Sequence, residues 1–173
     1  IFCTDDGNGG DSPKMMATST IGDELKVATR GNALVYSVAA DKDAAILAGG
    51  HAADGAFWIS EKSGRWSTCS YYSTASQNLL RAYNNTQSYN ADNDAVEKLA
   101  EACINDMGMG RDHITDLLSI TLSAKVKDIT NWQTDMEIAY IKLDKTLAQL
   151  ISTIENKVGE GNVLFVVTST GYT

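Results

Sequence analysis

From Asp92 to Met107 the apolar residues Val96, Leu99, Ala100, Cys103, Ile104 and Met107 return every three or four positions. That period draws one apolar stripe along a helix, and Gly108 supplies its stop. A second stripe, Met136, Tyr140, Leu143, Leu147, Ile151, Ile154 and Val158, predicts another long helix ended by Gly159 and Gly161. Three apolar runs have no such period: ALVYSVAA at 33–40, DLLSITLS at 116–123 and NVLFVVTST at 162–170. Short and bounded by turn residues, they read as strands buried on both faces. Strands separated by long apolar helices imply an α/β fold, with parallel pairing and helices covering the sheet.

The first half of the chain is less regular. Residues 5–13, DDGNGGDSP, form a loop by composition and carry the only proline. Thr18 or Ser19 is then placed to cap a short helix over 21–30, with Ile21, Leu25 and Ala28 on one face. An apolar helical turn in AAILAGG ends at Gly49-Gly50. GAFWIS and GRWSTC read as a hairpin around residues 61–64, and a further helix is expected near 78–83.

Composition narrows the function classes. The 173 residues suit one domain, 1–173, with a sizeable core. Lys+Arg number 14 against 22 Asp+Glu, a net charge of −8, so a nucleic-acid backbone or an anionic membrane surface is repelled. No apolar run approaches the roughly 20 residues of a membrane span. The chain opens at Ile1-Phe2-Cys3 with no methionine, from which we expect the numbering to begin inside a longer precursor. Cys3, Cys69 and Cys103 lack C-x-x-C spacing and fall on different elements, which argues against a zinc site built from them. Buried free thiols are the default reading; one disulfide with one remaining thiol is the alternative in an exported protein.

Candidate chemistry is sparse. His51 and Asp54, three apart in GGHAADGAFW, suit a metal or acid–base work, against the plainer role of a histidine that hydrogen-bonds a loop. His113 precedes a strand's amino end, the wrong end for ligands in an open α/β sheet. Asp41 and Asp43 follow the first strand's carboxyl end, where a hard cation or a solvated turn would use them. After the second strand come Lys125, Lys127 and Asp128, which suit an anion or a charged loop. The glycine-rich stretches match no phosphate loop, and no G-x-S-x-G is present.

Several stretches, in order, carry a family likeness: GDELKVAT, then VYSVAADKDAAILAGGHAADGAFWISEKSGRWSTCSYY, then TDLLSITLS, then YIKLDKTLAQLISTIENKVGEGNVLFVVT. They resemble the type I phosphodiesterase/nucleotide pyrophosphatase branch of the alkaline phosphatase superfamily, especially its bacterial alkaline phosphatases. GHAADGAFW to STCSYY is the most specific part, close to a family pattern GHxADGAFW…TGxWxTSxYY. Residues 84–92 are the weak part, because the family carries a longer insertion there. The resemblance implies a three-layer α/β/α sandwich with a mostly parallel sheet and a β-hairpin. It also implies two zinc ions held by Asp and His at strand ends, which activate a Thr or Ser nucleophile against a phosphate ester.

Position by position, the required residues are replaced. The family's SxSSTDxxGH corresponds to residues 121–130, which puts Val126 and Thr130 at a ligand Asp and a ligand His. Its TADHG corresponds to 168–172, which puts Thr170 and Gly171 at the other pair. The Lys and Arg that clamp substrate in LKDRAAIL fall on Asp41 and Asp43, reversing the charge. The nucleophile strand of the family would lie before Ile1. The expectation is an inactive phosphatase-like protein without a resident metal, exported to the periplasm or cell envelope, that binds a protein partner or small polar ligand or self-associates. Lys125, Lys127, Asp128 and Ser169 are the candidate ligand contacts, with the hydroxyls of Thr130, Thr168 and Thr170 beside them. The rival expectation is part of a phosphomonoester or phosphodiester hydrolase whose missing residues lie outside the chain.

Overall fold

The computed structural model describes residues 10–84, 90–125 and 130–169. A 3-10 turn at Pro13–Met15 leads to α1 (Ile21–Ala28), β1 (Val35–Ala39), α2 (Lys42–Gly49), β2 (Gly55–Ile59) and β3 (Trp66–Ser67). Then come α3 (Thr74–Asn84), α4 (Asn93–Met107), β4 (Leu117–Thr121) and α5 (Trp132–Val158). The strands form one sheet in the order β3-β2-β1-β4. β1 pairs parallel with β2 and β4, and β3 closes the hairpin antiparallel to β2, with Ile59 opposite Trp66.

Alternation along the central strands explains why they read as continuous apolar runs. Tyr36, Val38, Phe57 and Ile59 face a core built with Leu79, Leu80, Val96, Leu99, Cys103, Leu150 and Ile154 from α3, α4 and α5. Val35, Ala39, Ala56 and Trp58 face the other way, onto Ala45 and Ile46 of α2 and onto Tyr72. Burial on both faces makes nearly every position apolar, buried Ser37 of β1 being an exception. The expected three layers are therefore present, with α5 packed behind α4.

Local chemistry sets the element ends. α4 starts at Asp92, whose carboxylate accepts the Ala95 amide at 3.0 Å, and stops at Gly108 in the left-handed region at φ 77°. α1 is capped by Thr20, one residue past Ser19 and two past Thr18, the residues expected. Thr20 and Asp23 form a reciprocal capping box, and neither earlier residue has a carboxylate three positions on. The hairpin turns at Gly64, φ 62°, and its second strand is shorter than the pattern suggested.

Two sequence expectations need correction. Of the stripe expected on α5 only Ile154, towards the carboxyl end, is buried; the other buried positions of the helix, Thr146 and Leu150, lie outside that stripe, and Tyr140 is 56% exposed. The expected third parallel strand, 162–170, joins none of the described sheet over its described residues: Asn162 ends a 3-10 turn, Glu160–Asn162, and 163–169 belong to no described strand. Val163 packs on the core, yet Leu164, Val166 and Val167 are 87%, 80% and 71% exposed. A strand needs a neighbouring edge, and β4 supplies no ladder to this segment.

Cys69 and Cys103 are free thiols, and Cys3 lies outside the described residues. Burial, with Asp106 nearby, pushes the Cys103 thiol up to about 12, so it packs as an inert apolar group.

Candidate functional site at the carboxyl ends of the strands

In an open parallel sheet the helices' amino termini and the strands' carboxyl ends converge on one edge, where ligands bind. Here that edge begins at Asp41, the residue after β1 and Ala40. Its carboxylate accepts the Ala44 amide at 2.9 Å and caps α2. An aspartate in this position offsets the helix's orphan amides and its positive end. Lys42 Nζ lies 2.9 Å from Asp11 and 4.0 Å from Asp43. The two carboxylates after β1 are therefore engaged with a helix terminus and a lysine.

At the end of β4 a second device appears. Asn93, the first residue of α4, donates its side-chain N–H to the Ser123 carbonyl at 2.9 Å and accepts the Ser123 amide at 2.9 Å. This paired bond ties the chain leaving β4 to the start of α4. Lys125, Thr130, Thr168 and Ser169 are exposed. Val126, Lys127, Asp128, Thr170 and Gly171 lie outside the described residues.

The opposite edge holds the histidines. His51 follows α2, and its Nδ1 is 3.5 Å from Asp23 Oδ2, so its acidic neighbour is Asp23 and not the Asp54 suggested by spacing. His113 is exposed in the loop before β4. Asp23 Oδ1 accepts the Ala52 amide at 2.6 Å, and Asp23 Oδ2 accepts the Thr20 amide at 2.9 Å. Burial alone would raise the Asp23 pKa. Amide donation from Ala52, Thr20 and His51, with the Thr20 hydroxyl, outweighs burial and holds it below the usual aspartate value.

Asp54 and Asp116 do similar work, accepting the amides of Val35 at 2.8 Å and Leu34 at 2.7 Å. Asp116 also accepts from Gly110 at 2.8 Å. Sequence reasoning did not single out Asp23 or Asp116, because a carboxylate that tethers a distant amide leaves no local pattern.

Among the described residues at the carboxyl edge, the donors do not fit a two-zinc centre. Zinc is held by imidazole, thiolate and carboxylate, but Asp41 is a helix cap, Asp11 and Asp43 face Lys42, and both histidines lie at the amino ends. Among the described residues no three His, Cys, Asp or Glu side chains group as metal ligands.

No family model matches the sequence. The chain is 24% identical to the alkaline phosphatase PafA of Elizabethkingia meningoseptica over 236 aligned positions, covering 95% of this chain and 43% of that protein. It is also 24% identical to the alkaline phosphatase PhoV of Synechococcus elongatus, covering 91% and 40%. A calcium-transporting ATPase of Myroides odoratus is 33% identical over 94 residues, 49% of this chain and 17% of that one. The solved structure of wild-type PafA superposes with a TM-score of 0.79 at 22% identity, over 94% of this chain and 45% of that one. The fold is thus that of part of an alkaline phosphatase, and the chain spans less than half the length of the relatives it matches. The alignment with PafA is longer than this chain, 236 positions against 173, so the relative carries at least 63 intervening positions that have no counterpart here.

Proposed function

We propose that this chain is an alkaline phosphatase-like binding module, of the phosphodiesterase/nucleotide pyrophosphatase branch, that does not itself hydrolyse phosphate esters. The observation carrying the proposal is the donor set at the carboxyl edge. By the family resemblance, Asp41 and Asp43 fall at positions where a phosphate clamp would carry cations, and Val126, Thr130, Thr170 and Gly171 at positions where a metal centre would carry imidazole and carboxylate. Two negative charges beside an incoming phosphate raise its binding free energy rather than lower it. Export to the cell envelope follows from the same family reading, and no described helix is long and apolar enough to cross a membrane.

Zinc content of the purified chain, measured with hydrolysis of chromogenic phosphate mono- and diesters in added zinc, tests this directly. Absence of both zinc and turnover supports a binding module. About two zinc ions per chain with turnover would overturn it.

Two structural features favour a second reading, in which this chain is part of a phosphoric ester hydrolase completed by residues outside it. β4 lies at the sheet's edge, although Leu117, Leu118 and Ile120 have the composition of an interior strand. Leu164, Val166 and Val167 are exposed in an extended apolar segment. Both features suit a larger sheet, and a longer version of the polypeptide that binds zinc and turns over phosphate esters, where this chain does not, would establish that reading.

A further inference from the structure

On the edge of the sheet farthest from β4, two of the chain's four arginines line one groove. Its volume is about 340 Å³, and it runs between β3 and α3. Arg65, Ser67 and Thr68 come from the hairpin side; Gln77, Arg81 and Asn84 come from one face of α3 at a spacing of three and four. Buried Trp66 and Leu80 also line it. Asn84 fixes the geometry by copying a strand: it accepts the Trp66 amide at 3.2 Å and donates to the Trp66 carbonyl at 2.7 Å. The outer edge of β3 is thereby held against α3 at a set distance.

Two observations mark the groove as a place for a ligand. Among the described residues, neither Arg65 nor Arg81 has a carboxylate within ion-pair distance, in a chain with eight more acidic than basic groups. The Thr68 hydroxyl is buried with no hydrogen-bond partner among the described residues, and leaving such a group unmet costs about 1–3 kcal/mol. A guanidinium presents a planar fork of donors that matches two oxygens of an anion. Two forks and a hydroxyl donor in one concavity select an oxyanion over a cation or a neutral sugar.

We propose that this groove binds a small oxyanion, through phosphate or carboxylate oxygens, at Arg65, Arg81 and Thr68. The groove lies on the outer side of β3, with Arg65 beside Ser60 at the carboxyl end of β2, and uses none of the residues described after β1 and β4, so its occupancy can be read separately from hydrolysis.

The test is a two-dimensional NMR titration of the purified chain at low ionic strength, with inorganic phosphate in one arm and malonate in the other. Saturable shifts are expected at residues 65–68 and 77–84. Arg81→Gln and Arg65→Gln should each weaken binding about tenfold, the scale of one charge-assisted bond. Thr68→Val should weaken it several-fold, and Arg81→Lys should fall between Arg81→Gln and the parent because it keeps charge but loses the fork. Both arginines are exposed, so circular dichroism should show each variant folded. The arm that saturates at lower concentration identifies the oxyanion class. Shifts that fail to saturate, that centre on Lys42 or Lys125, or that persist unchanged in both arginine variants would overturn the assignment.

Discussion

Lys26 in the last turn of α1 places its ammonium 2.7 Å from Asp54 just before β2, with both side chains largely shielded from solvent. Asp54 also accepts the Val35 amide at 2.8 Å, so one carboxylate joins α1, β1 and β2. Lys26→Met removes a charge but retains most of the stem and should cost about 1–2 kcal/mol, between exposed and buried ion pairs. Asp54→Ala should cost more, about 2–4 kcal/mol, because it strands both an ammonium and a strand amide. Urea unfolding of both variants measures the difference, and equal costs would mean the Val35 amide finds water instead.

Gly50 has φ 79°, and a methyl group there would meet Thr20 Oγ1 at 2.4 Å and Asp23 Oδ2 at 2.7 Å. Those atoms belong to the α1 capping box, so they cannot retreat without breaking it. Gly50→Ala should lower stability by about 2–4 kcal/mol, from strained backbone together with crowding. Gly31, with φ 84° and nothing within 4 Å of the same added methyl, is the control and should lose only about 1 kcal/mol.

Asp23 makes stability depend on acid pH. Its folded pKa is lowered, so the stabilisation is complete above the unfolded aspartate value and is lost as pH falls through the folded one. Asp23→Asn should flatten the acid limb of a stability–pH curve. His51→Ala should leave that limb nearly intact, because backbone amides hold the carboxylate low. An unchanged limb in Asp23→Asn would refute the assignment.

Glu97 has the opposite sign. It lies buried on α4 with Oε1 unpartnered among the described residues. Burial raises its pKa, Glu101 and Asp94 add to the rise, and Lys98 opposes it. A raised carboxylate pKa means the folded chain binds the proton more tightly, so stability falls as pH rises from the ordinary glutamate value through the folded one. Glu97→Gln should therefore stabilise the protein at pH 7 and be close to neutral at pH 4, as thermal melts at the two pH values would show.

Leu164, Val166 and Val167 expose an apolar extended segment, and among the described residues β4 leaves an open edge. Such surfaces recruit another strand. The isolated chain should self-associate at tens of micromolar in sedimentation velocity, and Leu164→Lys with Val166→Lys should shift it towards monomer without lowering its melting temperature. A monomer at all concentrations would count against an uncovered interface.

Local sequence alone determined α4, through its repeat of about 3.6 residues, and the central strands and hairpin, through short apolar runs bounded by turn residues. Asp41 was legible as a residue after a strand, and its cap on Ala44 is local too. What tertiary structure decided lay in contacts across the chain: His51 meets Asp23 rather than Asp54, and Asp116 reaches Leu34 across 82 positions. The 162–170 run had a strand's composition, but composition states which residues tolerate a ladder and cannot provide the neighbouring edge. The groove between Arg65 and Arg81 was likewise hidden, because an arginine on a hairpin and another on a helix converge only once β3 and α3 are packed together.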